Sequence, residues 1–296
     1  MAGTTTEAEE GQPLPPRCLR IDCAGRVLDL SRPRIMGILN VTPDSFSDGG
    51  RYTSVASAVA HAVSMVEAGA DMIDVGGEST RPGAPEVGAD EEAERVIEVI
   101  KHLHQAVDVP ISIDTRKPSV MRAAVEAGAG FVNDIRALLE PGALSLAVEL
   151  GVPVCLMHMQ GEPRNMQAAP EYRDVVCEVE AFLLRRAREC IDAGIDRGRI
   201  LLDPGIGFGK NLQHNLALMR ATTALAGHGF PLLLGVSRKR VIGALLRNRP
   251  IEGRVDGSVG AAVALALAGA KILRVHDVRQ TADALQVAWA ISKTED

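Results

Sequence analysis

The chain has 296 residues, of which 46% are hydrophobic and 24% charged, so it can bury a sizeable core in one large domain or two ordinary ones. Its formal net charge of −6 argues against a general surface for nucleic acids or anionic membranes. No apolar run approaches the roughly 20 residues of a membrane-spanning helix. The five cysteines are dispersed without zinc spacing, which is typical of free thiols in a cytoplasmic protein.

The N-terminal part of the chain divides into two segments. Residues 1–16 are acidic and lack the basic and apolar regions of a signal peptide, and we expect a disordered tail there. Residues 17–34 alternate apolar and polar side chains around Ala24 and Gly25, which predicts a short β-hairpin. No low-complexity linker follows residue 34, so residues 17–296 are expected to form one domain.

Beyond the hairpin, short apolar runs alternate with longer amphipathic segments. The runs predict eight strands: 35–40, 72–76, 111–114, 131–135, 154–158, 200–204, 232–236 and 272–276. The segments between them, such as residues 53–70 and 89–107, have helical periodicity, and several end near a glycine that suits a left-handed helix cap. Eight such units in about 260 residues match an α/β fold of the single (β/α)8 TIM-barrel type better than an open doubly wound sheet. The hairpin is then expected to plug or cover the bottom of the barrel.

Every predicted strand ends in polar residues. In a (β/α)8 barrel the strands' C-terminal ends and the following loops build the site. Alone, an Asp or Asn there is commonly a turn former or helix cap. His158 is equally consistent with a core or rim histidine hydrogen-bonded to backbone, and Asp74 is consistent with a structural carboxylate inside its strand. Eight polar ends together nevertheless favour a functional site.

The chemistry of these ends predicts two neighbouring slots. One set of side chains combines two carboxylates, a carboxamide and an ammonium group, namely those of Asp114, Asp203, Asn133 and Lys239. Such a set of acceptors and donors suits a flat heterocycle with several ring N–H groups. Arg274 and His276 lie two residues apart on one strand, point the same way, and suit an anion such as phosphate. Asn40, on the next strand around the barrel, is suited to complete that anion site or to hold Mg²⁺ by its carbonyl oxygen.

Long loops follow several strands. Loop 1 (residues 40–50) and loop 2 (residues 77–88) have the length of functional lids, although loop 2 also fits a solvated Pro-Gly turn. Residues 158–167 are a weaker candidate. Residues 204–211, PGIGFGKN, lack the glycine spacing of nucleotide-binding loops. Their glycines are better suited to let the backbone approach a substrate, with Phe208 as an apolar wall.

The motifs at these positions resemble those of one family. IMGILNVTPDSFSDGG, DVGGESTRPGA, SIDTRKP, NDI, LMHMQGEPRNMQ, LLDPGIGFGKN, GVSRK and RVHDV occur in the order found in bacterial dihydropteroate synthase, from about residue 17 almost to the C-terminus. The resemblance implies a transferase that joins 6-hydroxymethyl-7,8-dihydropterin diphosphate to p-aminobenzoate and releases diphosphate in folate synthesis. It also implies Mg²⁺, a dissociative mechanism and a homodimer.

The resemblance implies roles for individual residues as well. The pterin pocket would consist of Asp114, Asn133, Asp203, Lys239 and Arg274. The diphosphate would be held by Asn40, Arg274 and His276, with Mg²⁺ on Asn40. The p-aminobenzoate site would be bordered by Thr80, Arg81, Pro82 and Phe208. Phe46 and Asp48 of loop 1 would close over the reacting centre, with Asp48 favouring the pterin cation.

One position departs from the family pattern. Arg240 stands where several family members have a serine that contacts the aminobenzoate carboxylate. That carboxylate has three alternative partners here: Ser237, the nearby arginines, or the helix N-terminus at this point.

Two other functions are compatible with a pterin-binding barrel. A folate-dependent methyltransferase domain shares the heterocycle slot, but it would not need the Arg-x-His pair, and no cobalamin-binding segment is present. A catalytically silent pterin-binding paralogue would be expected to have lost part of loop 1, loop 2 or the Arg-x-His pair, and each is intact.

Overall fold

The structure of the protein, a computed structural model, describes residues 19–42, 51–79 and 83–292. It opens with the predicted hairpin, in which β1 (Arg20–Cys23) pairs antiparallel with β2 (Arg26–Asp29). Ala24 and Gly25 form the turn with φ angles of 54° and 88°. Two successive positive φ angles match the tight turn whose twist fits a two-stranded ribbon.

Eight further strands and ten helices alternate along the described chain. The strands are β3 (Arg34–Asn40), β4 (Met72–Gly76), β5 (Ile111–Asp114), β6 (Phe131–Asp134), β7 (Val154–Met157), β8 (Ile200–Asp203), β9 (Leu233–Leu234) and β10 (Ile272–Val275). The helices are α1 (Arg51–Glu67), α2 (Ala89–Ala106), α3 (Pro118–Glu126), α4 (Ala143–Leu150), α5 (Val175–Asp192), α6 (Leu212–Arg220), α7 (Thr222–Ala226), α8 (Arg240–Leu245), α9 (Val255–Leu267) and α10 (Val278–Ser292).

The eight strands form a closed parallel barrel, which confirms the predicted fold. Neighbours pair in chain order from β3 to β8, and β10 pairs with both β3 and β9. A parallel bridge between Leu202 and Leu232 joins β8 to the start of β9 and completes the ring. β9 is shorter than predicted. The Leu232 carbonyl accepts hydrogen bonds from both Lys271 and Ile272, which interrupts the regular ladder there.

Glycines end several helices in the predicted way. Gly69, Gly128, Gly194 and Gly269, which follow α1, α3, α5 and α9, have φ angles between 105° and 114°. A side chain at this φ would be strained, so glycine ends the helix and turns the chain toward the next strand. No helix in the described ranges is long and apolar enough to cross a membrane.

The hairpin packs against the N-terminal ends of the barrel strands. Ile21, Cys23, Leu28 and Leu30 form a separate buried cluster with inward side chains from the strand starts, among them Phe131. Gly130, just before β6, allows the closest approach, because a Cβ there would lie 2.3 Å from the Cys23 carbonyl oxygen. The hairpin therefore plugs the bottom of the barrel, as predicted, and leaves the opposite end for the site.

Candidate active site

A chain of hydrogen bonds crosses the barrel interior between strands that are distant in sequence. Arg274 on β10 donates from Nε to Asp74 Oδ2 at 2.6 Å and from Nη2 to Asp114 Oδ2 at 2.7 Å. Asn133 on β6 donates from Nδ2 to the same Asp74 oxygen at 3.1 Å. Three residues predicted for the pterin pocket are thus brought together around Asp74, a residue assigned to no predicted slot.

The charges of this group do not balance. Arg274 is the cation for two carboxylates, Asp74 and Asp114, at 2.6 and 2.7 Å. Burial raises the pKa of Asp114 to about 7, against the lowering effect of Arg274, and the charge of Asp74 raises it further. Although burial opposes its charge, Arg274 has a raised pKa because both carboxylates stabilise the guanidinium. The interior therefore contains one carboxyl group that is easily protonated.

A second group of predicted residues lies where β8 and β9 end. The Lys239 ammonium donates to the Ile206 carbonyl and lies 4.7 Å from the centre of the Phe208 ring. Burial lowers the pKa of Lys239 to about 8, while Asp203 opposes the shift. Burial also raises the pKa of Asp203, whose Oδ1 accepts from the Gly205 N–H at 2.7 Å. One Asp203 oxygen thus shapes the turn, and the carboxylate also faces Lys239 electrostatically.

The loops after β9 and β10 are joined by two contacts. Ser237 Oγ accepts from the His276 N–H at 3.1 Å and lies 3.0 Å from His276 Nδ1. The Arg238 guanidinium pairs with Asp277, with Nε at 2.9 Å from Oδ2. Ser237 and His276, which were predicted for different slots, therefore meet directly, and the Ser237 hydroxyl fixes the position of the His276 ring.

His158 proves to be a rim histidine held by a buried lysine. Lys210 is 2% exposed, and its ammonium donates to the Phe208 carbonyl at 2.9 Å and to the His158 carbonyl at 3.3 Å. It also lies 3.0 Å from His158 Nδ1, which accepts because an ammonium can only donate. Burial and the Lys210 charge lower the pKa of His158 to about 3, and burial lowers that of Lys210 to about 7. The ring is therefore neutral.

The loop after β8 is further attached to the loop after β7. Tyr172 donates its hydroxyl to the Gly209 carbonyl at 2.9 Å, and Gln167 donates from Nε2 to the Gly207 carbonyl at 2.6 Å. A Cβ at Gly209 would lie 2.3 Å from the Gln160 carbonyl oxygen. These glycines let the two loops pack closely, which places Phe208 beside Lys239.

The described ends of loop 2 are anchored by ion pairs. Glu78 accepts from the Val87 N–H at 3.1 Å through Oε1, and from the Lys117 ammonium at 2.7 Å through Oε2. The same ammonium pairs with Glu92, which is 1% exposed. Glu78 thus joins the two ends of loop 2 to each other and to the loop after β5.

Asp134, the neighbour of Asn133, forms its hydrogen bonds within the turn that follows β6. Its two oxygens accept from the Arg136 and Leu138 N–H groups, each at 2.7 Å. Burial raises its pKa to about 6, while these two bonds oppose the shift. Asp134 therefore closes its own turn outside the barrel interior, so only Asn133 of the pair faces the site.

The structure offers few protein ligands for a metal. Asn40, predicted for Mg²⁺, is half-buried at the end of β3, beside Gly76 in register. Within the part of the chain described here, no group of three or more His, Cys, Asp or Glu residues could hold a metal ion. Mg²⁺ commonly takes one or two protein ligands and completes its shell with phosphate oxygens and water. The donor set fits a magnesium ion that arrives with a diphosphate.

Five predicted site residues lie outside the described residues: Phe46, Asp48, Thr80, Arg81 and Pro82. The predicted tail, residues 1–16, lies outside them as well. Conversely, Asp74 and Lys210 belong to neither slot predicted from the sequence, where Asp74 is considered only as a structural carboxylate. The signal for Asp74 is a lone carboxylate inside an apolar strand, and that for Lys210 is a lysine closing a glycine-rich loop.

The fold and the polar barrel mouth define a pterin binding enzyme, and the family model of that description matches residues 36–276, from β3 through β10. The dihydropteroate synthase of Escherichia coli K12 is 53% identical over 272 residues, covering 92% of this chain and 96% of that protein. The chain belongs to the bacterial dihydropteroate synthases, which are transferases.

Solved structures of relatives have the same fold. The Xanthomonas albilineans dihydropteroate synthase with 4-aminobenzoic acid has a TM-score of 0.89 at 53% identity, and covers 94% of this chain and 99% of its own. The same enzyme in complex with 7,8-dihydropteroate has a TM-score of 0.86 at 51% identity, covering 93% of this chain and 100% of its own.

Proposed function

We propose that this protein condenses 6-hydroxymethyl-7,8-dihydropterin diphosphate with p-aminobenzoate to give 7,8-dihydropteroate and diphosphate. The observation that carries the proposal is the set of acceptors and donors at the barrel mouth, in a chain 53% identical to a dihydropteroate synthase. The solved relatives bind 4-aminobenzoic acid in one structure and 7,8-dihydropteroate in another. The pterin ring of 7,8-dihydropteroate has the chemistry that the heterocycle slot would recognise, and 4-aminobenzoic acid is the acid form of the second substrate.

The pterin ring would lie in the interior slot. Asp114 and Asp203 supply carboxylate acceptors for ring N–H and amino groups, Asn133 supplies a carboxamide, and Lys239 supplies a donor. Hydrogen bonds to Asp74 and Asp114 hold Arg274 beside this slot, where its planar guanidinium would stack against the ring. These groups also hold one another through hydrogen bonds within the protein, which reduces the ordering required on binding.

The diphosphate would lie beside the ring, against Asn40, Arg274 and His276. Mg²⁺, held by Asn40, would neutralise charge on the leaving diphosphate. The residues of the chain contribute the guanidinium of Arg274 and the imidazole of His276, which Ser237 holds in place. Stabilising the departing anion allows the bond to the pterin methylene to break first, leaving a cation delocalised into the ring. Phe46 and Asp48 would close over that cation, Asp48 by its charge.

The p-aminobenzoate would bind at the outer edge of the slot, bordered by Thr80, Arg81, Pro82, Phe208 and Ser237. Its amine is neutral at physiological pH and attacks once it is positioned, so no strong general base is needed. Ser237 has one hydroxyl hydrogen, which it can give either to His276 Nδ1 or to the aminobenzoate carboxylate. Ser237 is therefore limited as a ligand for the aminobenzoate carboxylate, and the neighbouring arginines would contribute more to binding that carboxylate.

A diphosphate-release assay tests the proposed reaction. The protein is mixed with dihydropterin diphosphate, p-aminobenzoate and Mg²⁺, and diphosphate and dihydropteroate are measured together. We expect both products in equal amounts, and neither when p-aminobenzoate or Mg²⁺ is omitted. A silent paralogue would bind the dihydropterin without release, and a methyltransferase would instead transfer a methyl group from a methylated folate to a corrinoid. No release with all components present would overturn the proposal.

Two further parts of the proposal concern the protein in the cell. We place it in the cytoplasm, since Cys23, Cys155, Cys177 and Cys190 are free thiols, as a reducing compartment would keep them. We also propose a homodimer formed through α9 and α10. The groove between these helices has an apolar lining, and Val287 and Ile291 beside it are 60% and 79% exposed.

A further inference from the structure

Asp74 has the environment of a residue that orients others. It lies in the middle of β4 and is 0% exposed, so it is too deep to be a surface charge. A single one of its oxygens, Oδ2, receives the hydrogen bonds of both Asn133 and Arg274, at 3.1 and 2.6 Å. Two side chains of the proposed pterin slot thus share one buried acceptor.

We propose that Asp74 is a positioning residue that sets the orientation of the Asn133 carboxamide and the Arg274 guanidinium for pterin recognition. The inference rests on the proposed function, because it assigns a cause to the polarity of the proposed slot. Asp74 itself is covered by its two partners and acts through them.

The direction of the Asn133 amide follows from simple chemistry. The two ends of a carboxamide have nearly the same shape, so packing alone does not decide which end faces which way. A carboxylate can only accept, so Asp74 selects the amide nitrogen of Asn133 as its partner. The carbonyl oxygen of Asn133 is then left for a ligand. The slot consequently prefers a ring that presents an N–H donor to Asn133.

The Asp74 carboxylate also keeps Arg274 in place when the contact between Arg274 and Asp114 changes. Arg274 is held at Nε by Asp74 and at Nη2 by Asp114. If the pterin donates hydrogen bonds to Asp114, the contact of Asp114 with Arg274 weakens, but the contact of Asp74 is made through a different nitrogen, Nε, and remains. Asp74 therefore preserves the plane of Arg274 through ligand binding.

The second oxygen of Asp74 allows charge and direction to be tested separately. Asp74 Oδ1 and Ser112 Oγ are both buried without a hydrogen-bond partner, and the two residues are register neighbours on β4 and β5. In Asp74→Asn, the new amide nitrogen should occupy the place of Oδ1, because the place of Oδ2 faces the donors of Asn133 and Arg274. The acceptor for Asn133 and Arg274 then survives while the charge is lost. Asp74→Ala removes both.

The test is a double-mutant cycle read out by binding of 6-hydroxymethyl-7,8-dihydropterin, without diphosphate, in a calorimeter. Asn133→Ala should weaken binding about tenfold in the wild-type background, the value of one buried hydrogen bond. We expect a similar factor in the Asp74→Asn background. In the Asp74→Ala background we expect Asn133→Ala to weaken binding by less than about twofold, because the Asn133 amide is no longer oriented there. Equal factors in all three backgrounds would overturn the inference.

Steady-state kinetics separate positioning from general damage. For Asp74→Ala we expect the KM for the pterin diphosphate to rise about tenfold or more, with the KM for p-aminobenzoate within about twofold of wild type. A merely structural role would raise both, and that result also counts against the inference. If the alanine variant does not fold, Asp74→Asn provides the measurement: we expect its KM for the pterin diphosphate to rise by less than about tenfold while the KM for p-aminobenzoate stays within about twofold of wild type, and a rise in both would count against the inference. If the wild type neither binds the dihydropterin nor releases diphosphate, the proposed function fails first and the inference with it.

Discussion

Arg274 pairs with two carboxylates, Asp74 and Asp114, and borders both proposed slots. We predict that Arg274→Ala lowers turnover by at least about 10²-fold, because a charge aimed at the leaving group is lost. The variant should still fold, but with a free energy of unfolding lower by about 3–5 kcal/mol, because Asp74 and Asp114 lose their cation. Turnover and urea unfolding measure the two effects.

Arg122 provides the matched control for that experiment. It pairs with Glu149 on the surface at 2.7 Å, with the two side chains 44% and 59% exposed. Exposed pairs contribute about 0–1 kcal/mol, so Arg122→Ala should leave both turnover and stability nearly unchanged. Near-normal turnover of Arg274→Ala would contradict the role assigned to Arg274.

Asp114 gives the stability of the protein a pH dependence. Its pKa is about 7 in the folded protein, raised first by burial, whereas an unfolded chain has the ordinary value of 3.8. Between these values the folded state binds the proton and the unfolded state does not. The free energy of unfolding therefore falls as pH rises from about 4 to about 7.

We predict that Asp114→Asn makes this decline shallower, because the amide does not titrate. Urea unfolding of both proteins at several pH values between 4 and 7 measures the slopes. Some decline should remain in the variant, since burial also raises the pKa of Asp134 and Asp203. Parallel curves for the two proteins would show that Asp114 has an ordinary pKa.

Among the elements, the loops after β7 and β8 depend on one buried lysine. Lys210 directs all three of its donors inward, to two carbonyl oxygens and the His158 ring. We predict that Lys210→Met, of similar length but without donors, costs about 1–3 kcal/mol of unfolding free energy because buried acceptors lose their partner. It should also raise the KM for p-aminobenzoate through displacement of Phe208, whose carbonyl Lys210 holds.

The control for this loop experiment is Lys101→Met on α2. Lys101 is 53% exposed and pairs with Glu98 one turn away, a contact worth about 0.3–0.5 kcal/mol. Urea unfolding and the two KM values should be nearly those of the wild type for this variant. If Lys210→Met behaves in the same way, the loops are held by Tyr172 and Gln167 without need of the lysine.

The elements themselves were predictable from periodicity. Every barrel strand is predicted to within one residue at each end except β9, where the shared Leu232 carbonyl shortens the ladder. The inward direction of Asn133 and Arg274 also follows, because strand residues alternate between two faces. What could not be read from the sequence is which interior groups touch. Arg274 and Asp74 are 200 residues apart, and their contact depends on the stagger of the closed barrel.

At the scale of the whole molecule, the barrel has two ends with different chemistry. The bottom is sealed by apolar side chains of the hairpin and the strand starts, and the top holds the charged groups. The apolar end closes the bottom of the barrel interior, and burial in that interior is the largest cause of the raised pKa of Asp114.

The outer surface of the molecule also has one face suited to another copy of itself. The apolar groove between α9 and α10 includes Val259, Val263 and Val287, with Asp256 and Asp283 also in its lining. A twofold axis there would pair the same apolar patch from each protomer and bury it. We predict a dimer at micromolar concentration by sedimentation velocity. We expect Val287→Asp to weaken it by at least about 30-fold, because a charge would be buried without a partner.

Val27→Asp on β2 is the control for the dimer experiment, since Val27 is 59% exposed, almost as much as Val287, but lies on the hairpin far along the chain from α10. This variant should sediment as the wild type does. The helices themselves should stay intact in Val287→Asp, because an exposed position on α10 tolerates a polar residue in the monomer, and circular dichroism checks this. A monomeric wild type, or a Val287→Asp protein that remains dimeric, would place the interface elsewhere or exclude it.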